Sequence, residues 1–289
     1  MGEAPLGIEL SSGAAREVDE GVRQDDWTAS NAAMSMDCGL VLAPPTLLGR
    51  LTRWVDFAIE AACRARGALW RLRPWRRRRQ AASFAALCRE SRFAALRDYQ
   101  RLASAIEPEV KPYYDLYTSR FNSPWMAASL ELSVFALVLC RLLRPTRLLD
   151  LGSGFSSVVL RLYQREASHS PEVWSVDTSG AWLGMTRKVL EWLDLPTDGL
   201  ATWREFAANG HAAFDFILHD LGSILTRCHT LRRVVSLAAP GAVLVIDDAN
   251  YRKVWRHARR LLARQGIPHH DVGAATRDRY GRFALLATL

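Results

Sequence analysis

The sequence predicts an α/β protein in which a mainly parallel sheet of seven strands carries helices on both faces. Short apolar runs indicate the strands, at residues 147–151, 172–177, 201–206, 214–220, 242–248, 269–272 and 283–288. Helical patterns separate them and begin near Ser157, Ala181, Ser223 and Tyr251. Alternating strands and helices are typical of a parallel sheet. No long helix separates the last two strands, so they should form an antiparallel pair at the edge of the sheet.

Length and composition are those of an ordinary globular protein. The chain has 289 residues, of which 49% are hydrophobic and 24% charged, which excludes a wholly disordered or collagen-like protein. Its longest apolar run, 134–140, is far shorter than the roughly 18 residues of a membrane span. The acidic N-terminus does not resemble a signal peptide, and no two of the five cysteines form a C-x-x-C pair. These features favour a reducing compartment, and hence the cytoplasm.

Three segments follow one another along the chain. Residues 1–45 lack apolar periodicity and end at two prolines, which predicts a disordered leader. Residues 46–110 form a helical, arginine-rich extension, with one amphipathic helix at 47–73 and a second at 81–106. Residues 111–289 form the α/β domain, which a helix over 123–144 opens, with Ser123 and Pro124 as its N-cap and first turn.

Positive charge is concentrated in one segment. The net charge is +8, and residues 50–101 hold 14 arginines against 4 acids. Such a run most often forms a solvated helical face. No interleaved aromatic residues, zinc-finger spacing or helix-turn-helix pattern supports binding to nucleic acid. Residues 47–80 could instead contact an anionic membrane surface peripherally, or pack on the rest of the chain or on a partner.

A glycine-rich turn carries the sharpest functional signal. The predicted first strand ends in Asp150-Leu-Gly152-Ser153-Gly154, and a helix follows. Glycine at such a turn lets a ligand approach the backbone closely, although Ser157 stands where a dinucleotide-binding motif has its third glycine. The next strand ends at Asp177, 23 residues beyond Gly154. A carboxylate at that place can accept hydrogen bonds from both hydroxyls of a ribose, so we expect a nucleoside-type ligand.

These motifs identify a family resemblance. Residues 113–289 resemble the Rossmann-like domain of class I S-adenosylmethionine-dependent methyltransferases, and residues 1–110 have no counterpart. Residues 214–220 resemble the fourth strand of that family, 240–248 the fifth, and 280–286 the terminal antiparallel strand. The resemblance implies that S-adenosylmethionine is bound by Asp150, Gly152, Ser153, Gly154, Ser157, Asp177 and Asp220.

The order of acidic residues is similar to that of metal-dependent O-methyltransferases of the catechol and caffeoyl-coenzyme A kind. That similarity implies that Asp220, Asp247 and Asp248 bind Mg²⁺ or another divalent cation. The sequence departs from that branch at Asp248, where the family has Asn, and at Ser223, where the catechol enzymes have a lysine base. The alternative is that these acids cap helices or contact the cofactor and the acceptor.

His219 and Asp220 are the candidate catalytic residues. Both fall at the end of the fourth strand, at the sheet edge where α/β proteins bind ligands. His219 would be the general base if there is no metal, and the alternative is a structural histidine.

The predicted function is transfer of a methyl group to an oxygen or nitrogen of a small-molecule acceptor. A nicotinamide-dependent oxidoreductase is one alternative, against which Ser157 and the two-strand ending argue. A second alternative is a catalytically silent scaffold that binds a partner or a membrane through its N-terminal helices. A homo-oligomer is compatible with any of these.

Limited proteolysis tests the predicted segments. The leader lacks apolar periodicity, so we expect a nonspecific protease to remove residues 1–45 and to stop near Pro44 or Leu47. Mass spectrometry of the resistant fragment gives the position of the cut. Free cutting as far as Pro112 would show instead that the helical extension is loosely attached.

Overall fold

The computed structural model describes residues 58, 60–62, 64–65, 67–68, 74–211 and 213–289. The predicted leader and most of the first amphipathic helix lie outside these described residues. The described helices are α1 (Pro74–Leu87), a 3₁₀ helix (Ser91–Asp98), α2 (Tyr99–Arg120), α3 (Leu130–Leu143), α4 (Phe155–Glu166), α5 (Gly180–Trp192), α6 (Trp203–Ala208), α7 (Ile224–Ser236), α8 (Arg252–Arg264) and α9 (Gly273–Thr276). Within the described ranges, no helix is long and apolar enough to cross a membrane.

The sheet has the predicted seven strands, and their order is β3-β2-β1-β4-β5-β7-β6. Strands β1 to β5 are parallel, and β7 is antiparallel to both β5 and β6. Only the short α9 separates β6 from β7, as expected. The strands are β1 (Arg147–Leu151), β2 (Glu172–Asp177), β3 (Leu200–Thr202), β4 (Phe214–His219), β5 (Ala238–Ile246), β6 (His269–Asp271) and β7 (Leu285–Thr288).

The apolar runs of the strands reflect burial on both faces of the sheet. Alternate side chains of a strand point to opposite faces, so a strand covered on both sides is apolar throughout. In β1, Leu148 packs into the core shared with α2, α3 and α4, whereas Leu149 and Leu151 pack into the core shared with α7 and α8. All three side chains are completely buried.

The third strand is shorter than predicted. The apolar run at 201–206 predicted a strand throughout, but β3 ends at Thr202 and α6 begins at Trp203. A capping box causes the change: the Glu205 amide donates to Thr202 Oγ1 at 3.3 Å, and the Thr202 amide donates to Glu205 Oε2 at 2.9 Å. These bonds satisfy the first free amides of the helix and stop the strand.

The helix predicted over 123–144 also begins later. Ser129, not Ser123, is the N-cap, because its hydroxyl accepts the Leu132 amide at 3.1 Å. The preceding residues form turns whose carbonyls point towards Arg282. The guanidinium of Arg282 donates to the carbonyl oxygens of Ala127 at 2.8 Å, Trp125 at 2.9 Å and Pro124 at 3.2 Å. A distant arginine therefore competes with the helix for these backbone acceptors.

The predicted boundary at residue 110 falls inside a helix. The second amphipathic helix, expected over 81–106, is broken after Leu87, and α2 then runs through both Pro108 and Pro112 to Arg120. Both prolines are exposed and lie four residues apart, on the solvent side of the helix. Water can bond the carbonyls that a proline leaves unpaired there, so the helix continues.

Helix α1 packs on the edge of the sheet rather than standing apart from it. The Asp271 amide of β6 donates to Ser83 Oγ at 2.8 Å, and a side-chain nitrogen of His270 lies 3.2 Å from the Ser83 carbonyl. A Cβ atom on Gly273 would lie only 2.5 Å from the Gln80 side chain, so glycine permits this close contact. Leu87 and Phe93 belong to the same core as Phe135 of α3.

Arg282 should be among the residues on which the fold depends most. It is 8% exposed, and its Nε donates to the buried Asp278 carboxylate at 2.6 Å. In Arg282→Met that carboxylate is left buried without its partner, so we expect urea denaturation to show a loss of about 3–5 kcal/mol.

Adding Asp278→Asn should restore part of that stability, because it removes the unpaired charge. A loss below about 1 kcal/mol in Arg282→Met would show that the ion pair and the bonds to the 124–127 carbonyls are dispensable.

Candidate functional site

The glycine-rich turn brings the ends of β1 and β4 into contact. Gly152 has a φ of 103°, and a Cβ atom there would lie 2.4 Å from the Asp220 carbonyl oxygen. Any other residue would be strained at this φ and would collide with the neighbouring backbone. The Asp220 amide donates to the Leu151 carbonyl at 2.6 Å, which joins the two strand ends. Glycine is therefore required here by the neighbouring strand end.

Asp150 and Ser157 support the turn from beneath. Asp150 is completely buried, and its Oδ2 accepts the hydroxyls of Ser157 at 2.5 Å and Ser175 at 3.0 Å. Ser157 Oγ in turn accepts the Gly154 amide at 3.1 Å. Burial raises the pKa of Asp150 to about 6, although these hydroxyls stabilise its charge. Neither residue lines the cavity above the turn, so both hold the backbone in place for a ligand.

Asp177 lies at the end of β2 and fixes the other side of the turn. Its Oδ2 accepts the Ser153 amide at 2.9 Å, and its Oδ1 accepts the Ser179 amide at 3.0 Å. Burial raises the pKa of this carboxyl, and the two amides oppose that shift. Oδ2 also accepts the Ser153 hydroxyl at 3.3 Å, so a ligand hydroxyl would bond to the second lone pair of Oδ1 or replace the Ser153 hydroxyl.

A cavity of about 280 Å³ opens above the turn, at the carboxyl ends of the strands. Five predicted site residues line it: Gly152, Ser153, Gly154, Asp177 and Asp220. Sequence reasoning missed the eleven other lining residues, among them Tyr117, Asn122, Met126, Trp182 and Arg227. Trp182 and Arg227 follow Asp177 and Asp220 by one or two helical turns, a spacing that could have drawn attention to them. No local signal marks Tyr117, because α2 reaches the cavity only through the tertiary fold.

Two of the missed side chains bear directly on ligand binding. The hydroxyl of Tyr117 is buried at the cavity beside Gly154 and has no hydrogen-bond partner. A buried hydroxyl without a partner is costly unless a ligand or water satisfies it. The indole nitrogen of Trp182 donates to the Ser153 carbonyl, which sets the ring against the turn.

The acids predicted to bind a metal are instead paired with an arginine. Arg227 Nη1 lies 2.6 Å from Asp220 Oδ1 and 2.6 Å from Asp248 Oδ2. In the part of the chain that the structure describes, no three His, Cys, Asp or Glu side chains are arranged to hold a metal ion. A guanidinium between two of the three carboxylates repels a cation, so these residues do not fit a divalent metal. The metal prediction for Asp220, Asp247 and Asp248 stays a prediction, and the position of Arg227 argues against it.

Burial raises the pKa of Asp220 and of Asp247 above the usual range. Asp247 reaches a pKa of about 7, because it is buried and because Asp248 lies next to it. Burial also raises the pKa of Asp220, whereas the positive charge of Arg227 lowers it. Asp248 has a φ of 54°, a left-handed conformation that aspartate tolerates better than most residues. The turn after β5 thus places two carboxylates side by side.

His219 lies behind the site rather than in it. The side chain is completely buried and does not line the cavity. Its Nε2 lies 3.1 Å from the carbonyl oxygen of Arg227, and burial lowers its pKa to about 4. This geometry matches the structural alternative for His219. Ser223, at the position of the catechol enzymes' lysine, caps α7 by accepting the Thr226 amide at 3.2 Å.

The fold and the site edge together define a class of protein. An O-methyltransferase from Bacillus cereus in complex with S-adenosylhomocysteine is 16% identical, with a TM-score of 0.51 over 62% of this chain and 89% of that one. An S-adenosylhomocysteine-bound methyltransferase from Podospora anserina is 12% identical, with a TM-score of 0.51 over 67% and 96%. No protein-family model and no curated protein sequence matches the chain. The chain therefore has the seven-stranded fold of class I methyltransferases.

The pKa of Asp247 predicts how stability depends on pH. A buried acid whose pKa is higher in the folded than in the unfolded state binds protons more strongly when folded. Unfolding free energy therefore falls as pH rises from about 4 towards 7, by a few kcal/mol for a shift of this size, and then levels off.

Asp247→Asn should make this decrease smaller but not abolish it, because burial also raises the pKa of Asp150 and Asp220. The fold should be kept, since an asparagine oxygen can still accept the Asp248 amide, which lies 2.6 Å from Asp247 Oδ1. Urea denaturation from pH 5 to pH 8 measures the unfolding free energy of wild type and of Asp247→Asn. Asp98→Asn, which replaces an exposed acid, is the matched control. Parallel pH profiles for wild type and Asp247→Asn would contradict the assignment.

Proposed function

We propose that the protein is an S-adenosylmethionine-dependent methyltransferase that acts on an oxygen or nitrogen of a small molecule. The observation that carries the proposal is one cavity in which the glycine turn and the Asp177 carboxylate meet at the carboxyl edge of the sheet. Ligands of open α/β sheets bind at this edge. The likeness of the fold to that of the two S-adenosylhomocysteine-bound proteins supports the same assignment.

Several residues in and beneath the cavity have a role in this proposal. Asp177 accepts the ribose hydroxyls, while Gly152 and Gly154 let the cofactor approach the backbone. Tyr117 offers its unpaired hydroxyl, and Trp182 presents an aromatic ring beside the turn. Asp150 and Ser157 contribute to cofactor binding indirectly, because their hydrogen bonds fix the conformation of the glycine turn.

The reaction places simple demands on the protein. The acceptor's lone pair attacks the methyl carbon, the carbon–sulfur bond breaks, and S-adenosylhomocysteine leaves while the acceptor loses a proton. The protein must align the two reactants and receive that proton. Asp220 lines the cavity and is the candidate proton acceptor. His219 is buried behind it and would act through the backbone of Arg227.

The partner predictions remain proposals. The acceptor is a small molecule, and the chain could form a homo-oligomer. Peripheral membrane contact through residues 47–80 would involve Arg76, Arg77, Arg78 and Arg79, which begin α1. The proposed compartment is the cytoplasm.

Binding of S-adenosylhomocysteine tests the function. We expect isothermal titration calorimetry to show binding to the wild type. Asp177→Ala should bind at least a few hundredfold more weakly, because it loses two hydrogen bonds to a charged oxygen, each worth about 1.5–3 kcal/mol. Asp177→Asn should lose less, because it keeps one acceptor, and Asp98→Ala serves as a surface control.

Three results would contradict the proposal. Unchanged affinity in folded Asp177→Ala would place the nucleoside elsewhere. Binding of NADH instead of S-adenosylhomocysteine would favour the oxidoreductase alternative. Binding of neither ligand would favour a silent scaffold. Circular dichroism separates these results from misfolding, because Asp177 also holds the Ser153 amide.

A further inference from the structure

Arg227 lies where a metal ion would bind if the acids at this edge held one. Its Nη1 is 2.6 Å from an oxygen of Asp220, at the end of β4, and 2.6 Å from an oxygen of Asp248, at the end of β5. Divalent cations bind carboxylate oxygens at about 2.0–2.6 Å. A metal bridging the same two oxygens would therefore coincide with the guanidinium nitrogen. Only one of the two can be present.

The position of Arg227 is fixed by several contacts. Its side chain is 11% exposed, and its Nη2 donates to the Gly222 carbonyl at 3.2 Å. Its own carbonyl lies 3.1 Å from His219 Nε2 in the core. Arg227 is also in the first turn of α7, where the helix dipole disfavours a cation. The two carboxylates therefore account for an arginine at this place.

Among the residues that the structure describes, no other cation is free to replace Arg227. Arg282 is the second positive charge that Asp220, Asp247 and Asp248 experience, and it is bound to Asp278 and to backbone carbonyls. Without Arg227, the carboxylates of Asp220 and Asp248 would face the volume that its guanidinium had filled. Hard oxygen ligands of this number and charge are suited to Mg²⁺, Mn²⁺ or Ca²⁺.

We infer that Arg227 is an internal cation that takes the place of a divalent metal between Asp220 and Asp248, so that removing its charge lets a divalent cation bind between these two carboxylates. The meaning of this inference for catalysis rests on the proposed function. The acceptor would meet a guanidinium and the Asp220 carboxylate at the end of the cavity. Arg227 is then a positioning residue, which holds Asp220 towards the cavity.

Manganese binding tests the inference without any turnover assay. Free Mn²⁺ has a six-line electron paramagnetic resonance spectrum that is lost on binding. We expect wild type to leave the signal unchanged, and Arg227→Met to bind about one equivalent, with a dissociation constant near 10⁻⁵ M or below and at least about a hundredfold tighter than wild type. Arg227→Lys keeps the charge and should bind none.

Two controls locate the site. Asp248→Asn added to Arg227→Met should abolish the binding, because it removes a ligand. Arg232→Met removes an exposed arginine from the same helix and should behave as wild type. Arg227→Gln is the second variant if Arg227→Met does not fold, as circular dichroism would show.

Two outcomes would overturn the inference. Wild type that binds one equivalent of Mn²⁺ as tightly as the variant would show that a metal displaces the arginine. A folded Arg227→Met or Arg227→Gln that binds none would show that the acids cannot form a metal site. S-adenosylhomocysteine is titrated into the same samples. Failure to bind that ligand would count against the proposed function, and it is measured separately from manganese binding.

Discussion

The architecture of the site depends on neutralising carboxylates that the sheet buries at its carboxyl edge. Parallel strands end at one edge, so Asp220 and the Asp247–Asp248 pair come together because their strands are neighbours. Buried charges must be paired, and two arginines from distant parts of the chain do this. Arg227 pairs with Asp220 and Asp248. Arg282 contributes a second positive charge and also holds the carbonyls of Pro124, Trp125 and Ala127, the last of which lines the cavity.

The glycine turn shows how a short motif depends on what lies under it. Asp150 and Ser157 belong to the motif, but neither reaches the cavity. Their hydrogen bonds hold the Gly154 amide, and Asp177 holds the Ser153 amide from the other side. The shape offered to a ligand therefore comes from a network of buried polar groups in which each member satisfies another.

The N-terminal helices are part of the same structural unit. The two similar solved structures cover 62% and 67% of the chain, so about a third lies outside each match. Within the described residues, α1 bonds to β6, and α2 supplies Tyr117 to the cavity. The boundary predicted at residue 110 lies inside α2, which spans Tyr99–Arg120.

The sequence by itself determined the order of the strands along the chain, the antiparallel ending and the glycine turn with its distant acid. These follow from local patterns: apolar runs, helix-forming stretches, and glycine where the backbone needs a left-handed φ. Local patterns could not show that Arg282 takes the carbonyls of 124–127 from a predicted helix, or that Thr202 and Glu205 end β3. They also could not pair Arg227 with acids from two different strands. The tertiary structure decided these points, because charge compensation and close contact depend on distances between residues far apart in the chain.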